Sequence, residues 1–280
     1  MNMRLVVYLV LLIFFSIIRM PYAQNLKVMT YNIKLDYPKE GEHSWVNRKP
    51  FFINQLKFYE PDVLGVQEAL PNQMKDIDSL LTDYNFVGVG RDDGKDEGEH
   101  SAIFYKKGKI KVLKSSTFWL SQTPEKVSMG WDAVCNRICT YALFENTETS
   151  QKFLVFNTHF DHVGVEARKN SATLIIQQIN KINTQNLPVI LMGDFNMEEN
   201  HESIQYLLED LRDSKTVSNI MFGPEGTYNG FDFDQPVTRR IDYIFVNSGI
   251  QVKKYAVLSD SWDLKYPSDH LPVFVEVRLK

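Results

Sequence analysis

At 280 residues and 44% hydrophobic, the chain is long enough to bury a sizeable core, in one large domain or two small ones. Its 31 basic and 35 acidic residues give a net charge of −4, so no strongly basic field advertises nucleic acid as the partner. A local basic patch would still suffice for a polyanionic substrate.

Residues 1–23 have the layout of a secretory signal peptide. Arg4 supplies the positive start, Leu5–Ile18 is largely apolar, and Pro21-Tyr22-Ala23 precedes Gln24. The apolar run falls short of the roughly 20 residues that a membrane span requires, and Arg19 follows at once. Cleavage after Ala23 would leave a periplasmic or secreted chain with no stable membrane association.

From about residue 25 the chain reads as one domain, with no low-complexity linker or repeat. Strands are expected at Leu26–Ile33, Val63–Val66, Phe86–Val89, Ala102–Tyr105, Ile110–Leu120, Asn136–Phe144 and Phe153–Thr158, then at Val189–Met192, Ile241–Val246, Val252–Leu258 and Val273–Val277. Helical patterns interrupt them. One is capped by Ser44 and runs Trp45–Tyr59, with Pro50 in its first turns or kinking it. Another opens at Pro71 and continues to Leu81. A third, Val165–Ile182, carries Ala167, Leu174, Ile175, Ile179 and Ile182 as an apolar stripe. The run of strands over 102–158 favours antiparallel pairing, so mixed sheets covered by a few helices are expected. Cys135 and Cys139 fall four apart on one expected strand, roughly 13 Å at about 3.3 Å per residue. A disulfide needs Cα atoms within about 7 Å, so two buried thiols are expected instead.

Several strands end in polar residues that a core strand would not choose. They run into Tyr31-Asn32, Gln67-Glu68, Asn157-Thr158-His159 and Gly193-Asp194-Phe195-Asn196. Asp242 sits inside an apolar run, and Ser268-Asp269-His270 opens the last strand. Any one of these is an ordinary turn signal. Six endings that supply Asn, Asp, Glu and His together offer the oxygen and imidazole groups of a metal-assisted hydrolytic site.

In order and spacing, Thr30-Tyr31-Asn32, Gln67-Glu68, Asn157-Thr158-His159, Gly193-Asp194-Phe195-Asn196, Arg240-Ile241-Asp242-Tyr243 and Ser268-Asp269-His270 resemble the endonuclease/exonuclease/phosphatase superfamily, over residues 26–278. The resemblance implies an α/β fold: a four-layered sandwich of two packed mixed, largely antiparallel sheets flanked by helices, with the site where strand ends meet. It also implies a divalent-metal-dependent phosphoric ester hydrolase. Glu68 corresponds to the principal Mg²⁺ ligand, with Asn32 beside it and Asp269 on the metal side, placed to take a second ion or to hold His270. Mg²⁺ prefers octahedral oxygen ligands, and Mn²⁺ often replaces it at such sites. Asp194 corresponds to the general base and Asn196 to the residue that orients it. His159 and His270 correspond to the two histidines that stabilise the phosphoryl oxygens. Asp242 is the implied partner of His270, and Glu99 that of His159. Where some members carry an aspartate two residues after the motif asparagine, this chain has Lys34, which either contacts a substrate phosphate or is solvated.

Pro267-Ser268-Asp269-His270, Trp45-x-x-Arg48 and Trp131-Asp132 ahead of Arg137 look most like exported bacterial relatives of the deadenylase branch. Arg137 either grips a phosphate or binds a core carboxylate. Asp161 and His162 either extend the site or shape its loop. Tyr228 and Asn229 either contact a base or sugar ring or pack a loop edge. The function read from the chain is hydrolysis of a phosphodiester or phosphomonoester by in-line attack of water activated by Asp194, in a monomer, on a nucleotide, a sugar phosphate or nucleic acid. The alternatives are a nuclease and a non-catalytic phospho-ligand binding protein.

Overall fold

The computed structural model describes residues 25–280; the expected leader at 1–23 lies outside them. Among the described residues no helix is long and apolar enough to cross a membrane. The strands are β1 (Leu26–Asn32), β2 (Val63–Gln67), β3 (Tyr84–Val87), β4 (Ile103–Lys106), β5 (Ile110–Trp119), β6 (Ile138–Asn146) and β7 (Lys152–His159), then β8 (Val189–Asp194), β9 (Arg212–Asp213), β10 (Met221–Phe222), β11 (Asp242–Val246), β12 (Ile250–Val257) and β13 (Val273–Leu279). The helices are α1 (Trp45–Tyr59), α2 (Pro71–Leu80), α3 (Val165–Ile182) and α4 (Glu202–Asp210).

One sheet has seven strands in the order β10-β12-β13-β1-β2-β4-β3, and the other six in the order β5-β6-β7-β8-β11-β9. Pairing is antiparallel except at β1–β2, β7–β8 and β10–β12. The first two parallel pairs are joined through α1 and α3, because a parallel return needs a crossover. The expected antiparallel middle is real for β5-β6-β7, while β4 belongs to the other sheet.

Alternation along the strands explains the layers. Val28 on β1 and Ile190 and Met192 on β8 point between the sheets, where they meet Val63, Phe144, Val155 and Ile244. Met29 and Tyr31 point the other way, against Trp45, Phe52 and Leu56 of α1. Leu191 and Phe156 point outward beneath Ile175 and Ile179 of α3 and Leu207 of α4. Strands apolar on both faces therefore lie inside a helix–sheet–sheet–helix sandwich, the four layers expected.

Pro50 sits at the sixth position of α1, inside the helix rather than at its edge. α4 was not expected, because its N-cap is His201, whose ring nitrogen accepts from Ser203 N at 3.2 Å in place of the usual Ser or Asp. Gly88, at φ 130°, follows the end of β3, which starts and stops two residues earlier than its pattern suggests. β6 likewise begins at Ile138, leaving Cys135 and Arg137 in the loop before it; Cys139 is a buried free thiol and Cys135 a half-buried one.

A single amide braces the two sheets. Asn157 on β7 donates through Nδ2 to Val66 O of β2 (2.9 Å) and to Ala102 O ahead of β4 (2.8 Å). Its Oδ1 accepts from Gln67 Nε2 at 2.6 Å, and Gln67 Nε2 also donates to Thr30 Oγ1. Gly65 leaves the necessary room, since a Cβ there would lie 2.7 Å from Asn157 Oδ1. Replacing Asn157 by Ala strips acceptors and donors buried between the sheets, so urea unfolding of Asn157→Ala is expected to show a loss of about 2 kcal/mol or more. An unchanged midpoint would show that the brace is dispensable.

Candidate active site

β1, β2, β7 and β8 all finish at one end of the sandwich, and β11 and β13 start there. Pairing places His159 beside Asp194 and Asp194 beside Asp242. The β7–β8 junction is tight, and Gly193, at φ 147°, is the residue that allows it: a Cβ there would lie 2.0 Å from Thr158 O. Six polar segments far apart in sequence therefore surround one cleft of about 470 Å³.

Three of its non-glycine residues hold left-handed backbone: Lys34 (φ 56°), Glu68 (φ 63°) and Asn196 (φ 53°). Such conformations cost roughly 1–3 kcal/mol each and persist where surrounding contacts fix them. Glu68 is fixed by Asn32 Nδ2 on Oε1 (3.0 Å) and by Leu35 N on Oε2 (3.0 Å). Asn196 turns back so that its own N–H reaches Asp194 Oδ1 at 2.8 Å.

Asp194 is the centre of the cluster. Its Oδ2 accepts from Asn32 Nδ2 at 2.9 Å and lies 3.4 Å from His159 Nε2 and 3.8 Å from His270 Nε2. Burial, and then the nearby Asp242 charge, push its carboxyl up to about 7, against the pull of His270 and Asn32. His270 Nδ1 meets Asp242 Oδ2 at 2.8 Å. Burial alone would lower His270, but Asp242, with Asp194 and Asp269 behind it, holds the imidazole well above its usual range, hence positively charged. His159 goes the opposite way: burial, and then Arg137 and Arg91, hold it well below that range, hence neutral. Asn196 Nδ2 donates to Phe160 O at 3.0 Å, which fixes the amide's orientation. The same Nδ2 lies 3.0 Å from His159 Nε2, so that nitrogen is the acceptor and the ring proton sits on Nδ1.

One wall of the cleft is carboxylate. Burial would raise Glu68, yet the Asn32 amide, the His270 charge, Leu35 N and Lys34 together keep it below the usual carboxylate range. Asp269 is pushed up by burial despite His270, with Lys34 Nζ 3.6 Å from its Oδ2. Atoms of Glu68, His159 and Asp194 lie within 4.8 Å of one another. Crowded, desolvated carboxylate oxygens of this kind suit a hard divalent cation, whose charge would return Asp194 and Asp269 to the ionised form. Asn32 lies beside Glu68 as expected, but it turns its N–H₂ to the carboxylates while Oδ1 accepts from Lys34 N at 3.1 Å. An amide rotation would be required for that oxygen to face an ion.

The opposite wall carries Arg91, Glu99, Arg137 and His162. Arg137 is 4% exposed, with Nη2 on His162 Nδ1 at 3.0 Å and Nε 3.5 Å from Asp161 Oδ2. Its Nη1 has no hydrogen-bond partner among the described residues. Arg137 thus leans on a core carboxylate and keeps a buried N–H without a partner. Asp161 shapes its loop, accepting from Val163 N and Gly164 N, while His162 reaches the cleft.

Two expectations change. Glu99 approaches His159 Nδ1 only to 3.9 Å, while its Oε2 accepts from Arg91 Nη1 at 2.7 Å; a nearby guanidinium outcompetes a neutral imidazole for a carboxylate. Asn229 does not reach the cleft: Nδ2 donates to Ser268 O at 3.0 Å and Oδ1 accepts from Phe231 N at 2.7 Å, so both ends of its amide are spent on the loop. Tyr228 does line the cleft, its ring edge-on to His270 at 5.1 Å, with Arg239 over its face at 5.3 Å. Lys34, Glu68, His159, Asp194, Asn196, Asp269 and His270 line it too, with Asn32 and Asp242 beneath.

Arg91 gave no sequence signal, since it stands in a charged stretch that reads as solvated loop. Arg48 is a second residue whose use the sequence did not show. Only 1% exposed, it donates to the carbonyls of His43 (2.6 Å), Ile33 (2.7 Å), Lys34 (2.9 Å) and Pro267 (2.9 Å), tying the exit of β1 to the segment that carries Asp269 and His270. The Trp45-x-x-Arg48 spacing marked the residue but not this use.

Comparison with known proteins identifies the family and the fold. Residues 29–270 match the Endonuclease/Exonuclease/phosphatase family. A crystal structure of an endonuclease/exonuclease/phosphatase family protein from Bacteroides thetaiotaomicron is 38% identical, covers 92% of this chain and 98% of its own, and superposes with a TM-score of 0.90. A mannosyl-6-phosphatase from the same species is 39% identical, over 90% of this chain and 99% of its own, with a TM-score of 0.88. A Schizosaccharomyces pombe protein named as a probable RNA exonuclease is 26% identical over 63% of this chain, which spans 37% of that relative's length. The chain belongs to the Endonuclease/Exonuclease/phosphatase family, whose members are metal-dependent phosphoester hydrolases.

Proposed function

We propose that this chain is an exported phosphomonoesterase that releases phosphate from a small polar ester, such as a sugar phosphate, by in-line attack of water deprotonated by Asp194. The observation that carries the reading is a cleft of mixed charge, lined by the carboxylates of Glu68 and Asp269, the guanidinium of Arg137 and the two imidazoles. A terminal phosphate carries two charges on exposed oxygens and gains from both walls at once. Support for a small substrate comes from the cleft's size, within the range of small-molecule sites, and from the acidic balance of the chain. The 39% identical mannosyl-6-phosphatase supports it further. The apolar run at the N-terminus supports export.

Glu68 and Asp269 would hold the cation, Mg²⁺ in this reading with Mn²⁺ able to substitute, joined by Asn32 once its amide turns. When bound, such an ion polarises a phosphoryl oxygen and offsets charge developing on it. Asp194 takes the proton of the attacking water as the P–O bond to the sugar breaks, and the leaving sugar oxygen takes a proton from solvent; Asn32 and the Asn196 N–H hold the Asp194 carboxylate in place. His270, kept charged by Asp242, donates from Nε2 to a phosphoryl oxygen. Asn196 holds the neutral His159 ring at the phosphate, and the unpartnered Nη1 of Arg137 donates to a second oxygen.

Asp194→Asn and His270→Ala are each expected to lower kcat by about 10²–10⁴-fold while far-UV circular dichroism stays native. Turnover within a few-fold of the parent in either variant would remove the assignment. Chelation by EDTA should abolish activity, and added Mg²⁺ or Mn²⁺ should restore it. In a parallel screen, hexose 6-phosphate should be cleaved with kcat/KM at least ~100-fold above bis(p-nitrophenyl) phosphate or oligoribonucleotide. Faster cleavage of the oligonucleotide would favour the nuclease reading, in which Tyr228 stacks on a base.

A further inference from the structure

The 90–100 loop closes the guanidinium side of the cleft, and its neck is held on several sides. Arg91 N donates to Glu99 O (3.1 Å), His100 N to Ala69 O (2.8 Å), Trp119 Nε1 to Arg91 O (2.8 Å) and Asn136 Nδ2 to Asp92 Oδ1 (3.1 Å). Arg91 and Glu99 therefore face one another across a pinned neck, their side chains joined at 2.7 Å and only 15% and 13% exposed. Both line the cleft. Arg91 Nε is buried without a hydrogen-bond partner among the described residues, with Asp92 Oδ1 3.9 Å away. The pair's own bond uses only Nη1 and Oε2, so Arg91 Nη2 and Glu99 Oε1 remain for a ligand in the cleft that the two residues line.

The chemistry of the pair narrows that ligand. Arg91 and Glu99 together are neutral, so a second phosphate would meet a carboxylate, and an apolar leaving group would leave the N–H unpaired. A hydroxyl suits both: it accepts from a guanidinium and donates to a carboxylate. Resting on the phosphomonoesterase reading above, we infer that Arg91 and Glu99 form a leaving-group subsite that takes neighbouring hydroxyls of a sugar whose phosphate sits at His159 and His270. The same arrangement accounts for Glu99 standing 3.9 Å from His159 and not bonded to it.

A rival role is available for Glu99, as an electrostatic partner of His159, and kinetics separate the two. A partner of His159 acts on every substrate alike, whereas a hydroxyl-binding pair acts only on substrates with hydroxyls to bind. The wild-type protein is assayed with hexose 6-phosphate, with its deoxy analogues and with p-nitrophenyl phosphate, and Arg91→Met and Glu99→Gln are assayed on the first and last. At least one deoxy analogue should lose ten-fold or more in kcat/KM. Both variants should lose at least ten-fold more on the hexose ester than on the aryl ester. Equal losses on the two esters would overturn the subsite and return Glu99 to His159, leaving the phosphomonoesterase reading intact. Wild-type deoxy analogues cleaved as well as the parent sugar would overturn it too, even if neither variant folds. Failure of the wild type on every monoester would remove both readings together.

Discussion

The site exists because the two sheets are held in register at one end. Asn157 is where that register is set: one buried amide takes two carbonyls of the opposite sheet's region and one side-chain donor from it. A side chain with both donors and acceptors can do this at a dry interface; an apolar one would fill the space but leave the backbone groups unanswered. Gly65 and Gly193 belong to the same arrangement, since each lets backbone or side chain approach where a Cβ would collide. Because strand ends are carried by the sheets, a brace between the sheets also fixes the distances between Asn32, Glu68, His159 and Asp194.

Desolvation gives those residues their chemistry. Burial lowers both imidazoles, yet His270 and His159 reach opposite protonation states because one faces Asp242 and the other faces Arg137 and Arg91. It also raises Asp194 and Asp269, a condition that a cation held at Glu68 and Asp269 would relieve. A charged imidazole, a neutral imidazole and a carboxylate that titrates near neutrality are thus sustained within a few ångströms by their second neighbours. Arg48 contributes from behind: an almost fully buried guanidinium answered only by carbonyls is costly, and it is placed where it ties Lys34 and Pro267 together.

Much of this was legible in the chain. α1 and α3 begin and end where the residues flanking α1 and the apolar stripe of α3 say, and polar strand endings pointed to Asp194, His159 and Glu68. What stayed hidden depends on partners distant in sequence. Asn229 looks like a ligand-facing amide until Ser268 and Phe231 are seen to use both its ends. Glu99 looks like a partner for histidine until Arg91, eight residues back, is found closer. α4 is short and capped by histidine in place of the usual Ser or Asp, so its start does not stand out. In each case the competing interaction is made by the fold, and local pattern has no access to it.

The claim on which the account rests is that one cation and one phosphate share the cleft between the carboxylate and guanidinium walls. Crystals grown with Mn²⁺ and inorganic phosphate test it directly through the anomalous signal of the metal. The account predicts Mn²⁺ on the carboxylates of Glu68 and Asp269, with phosphate oxygens on His270 Nε2 and Arg137 Nη1. Mn²⁺ bound away from Glu68, or phosphate seated outside the reach of both imidazoles, would contradict it.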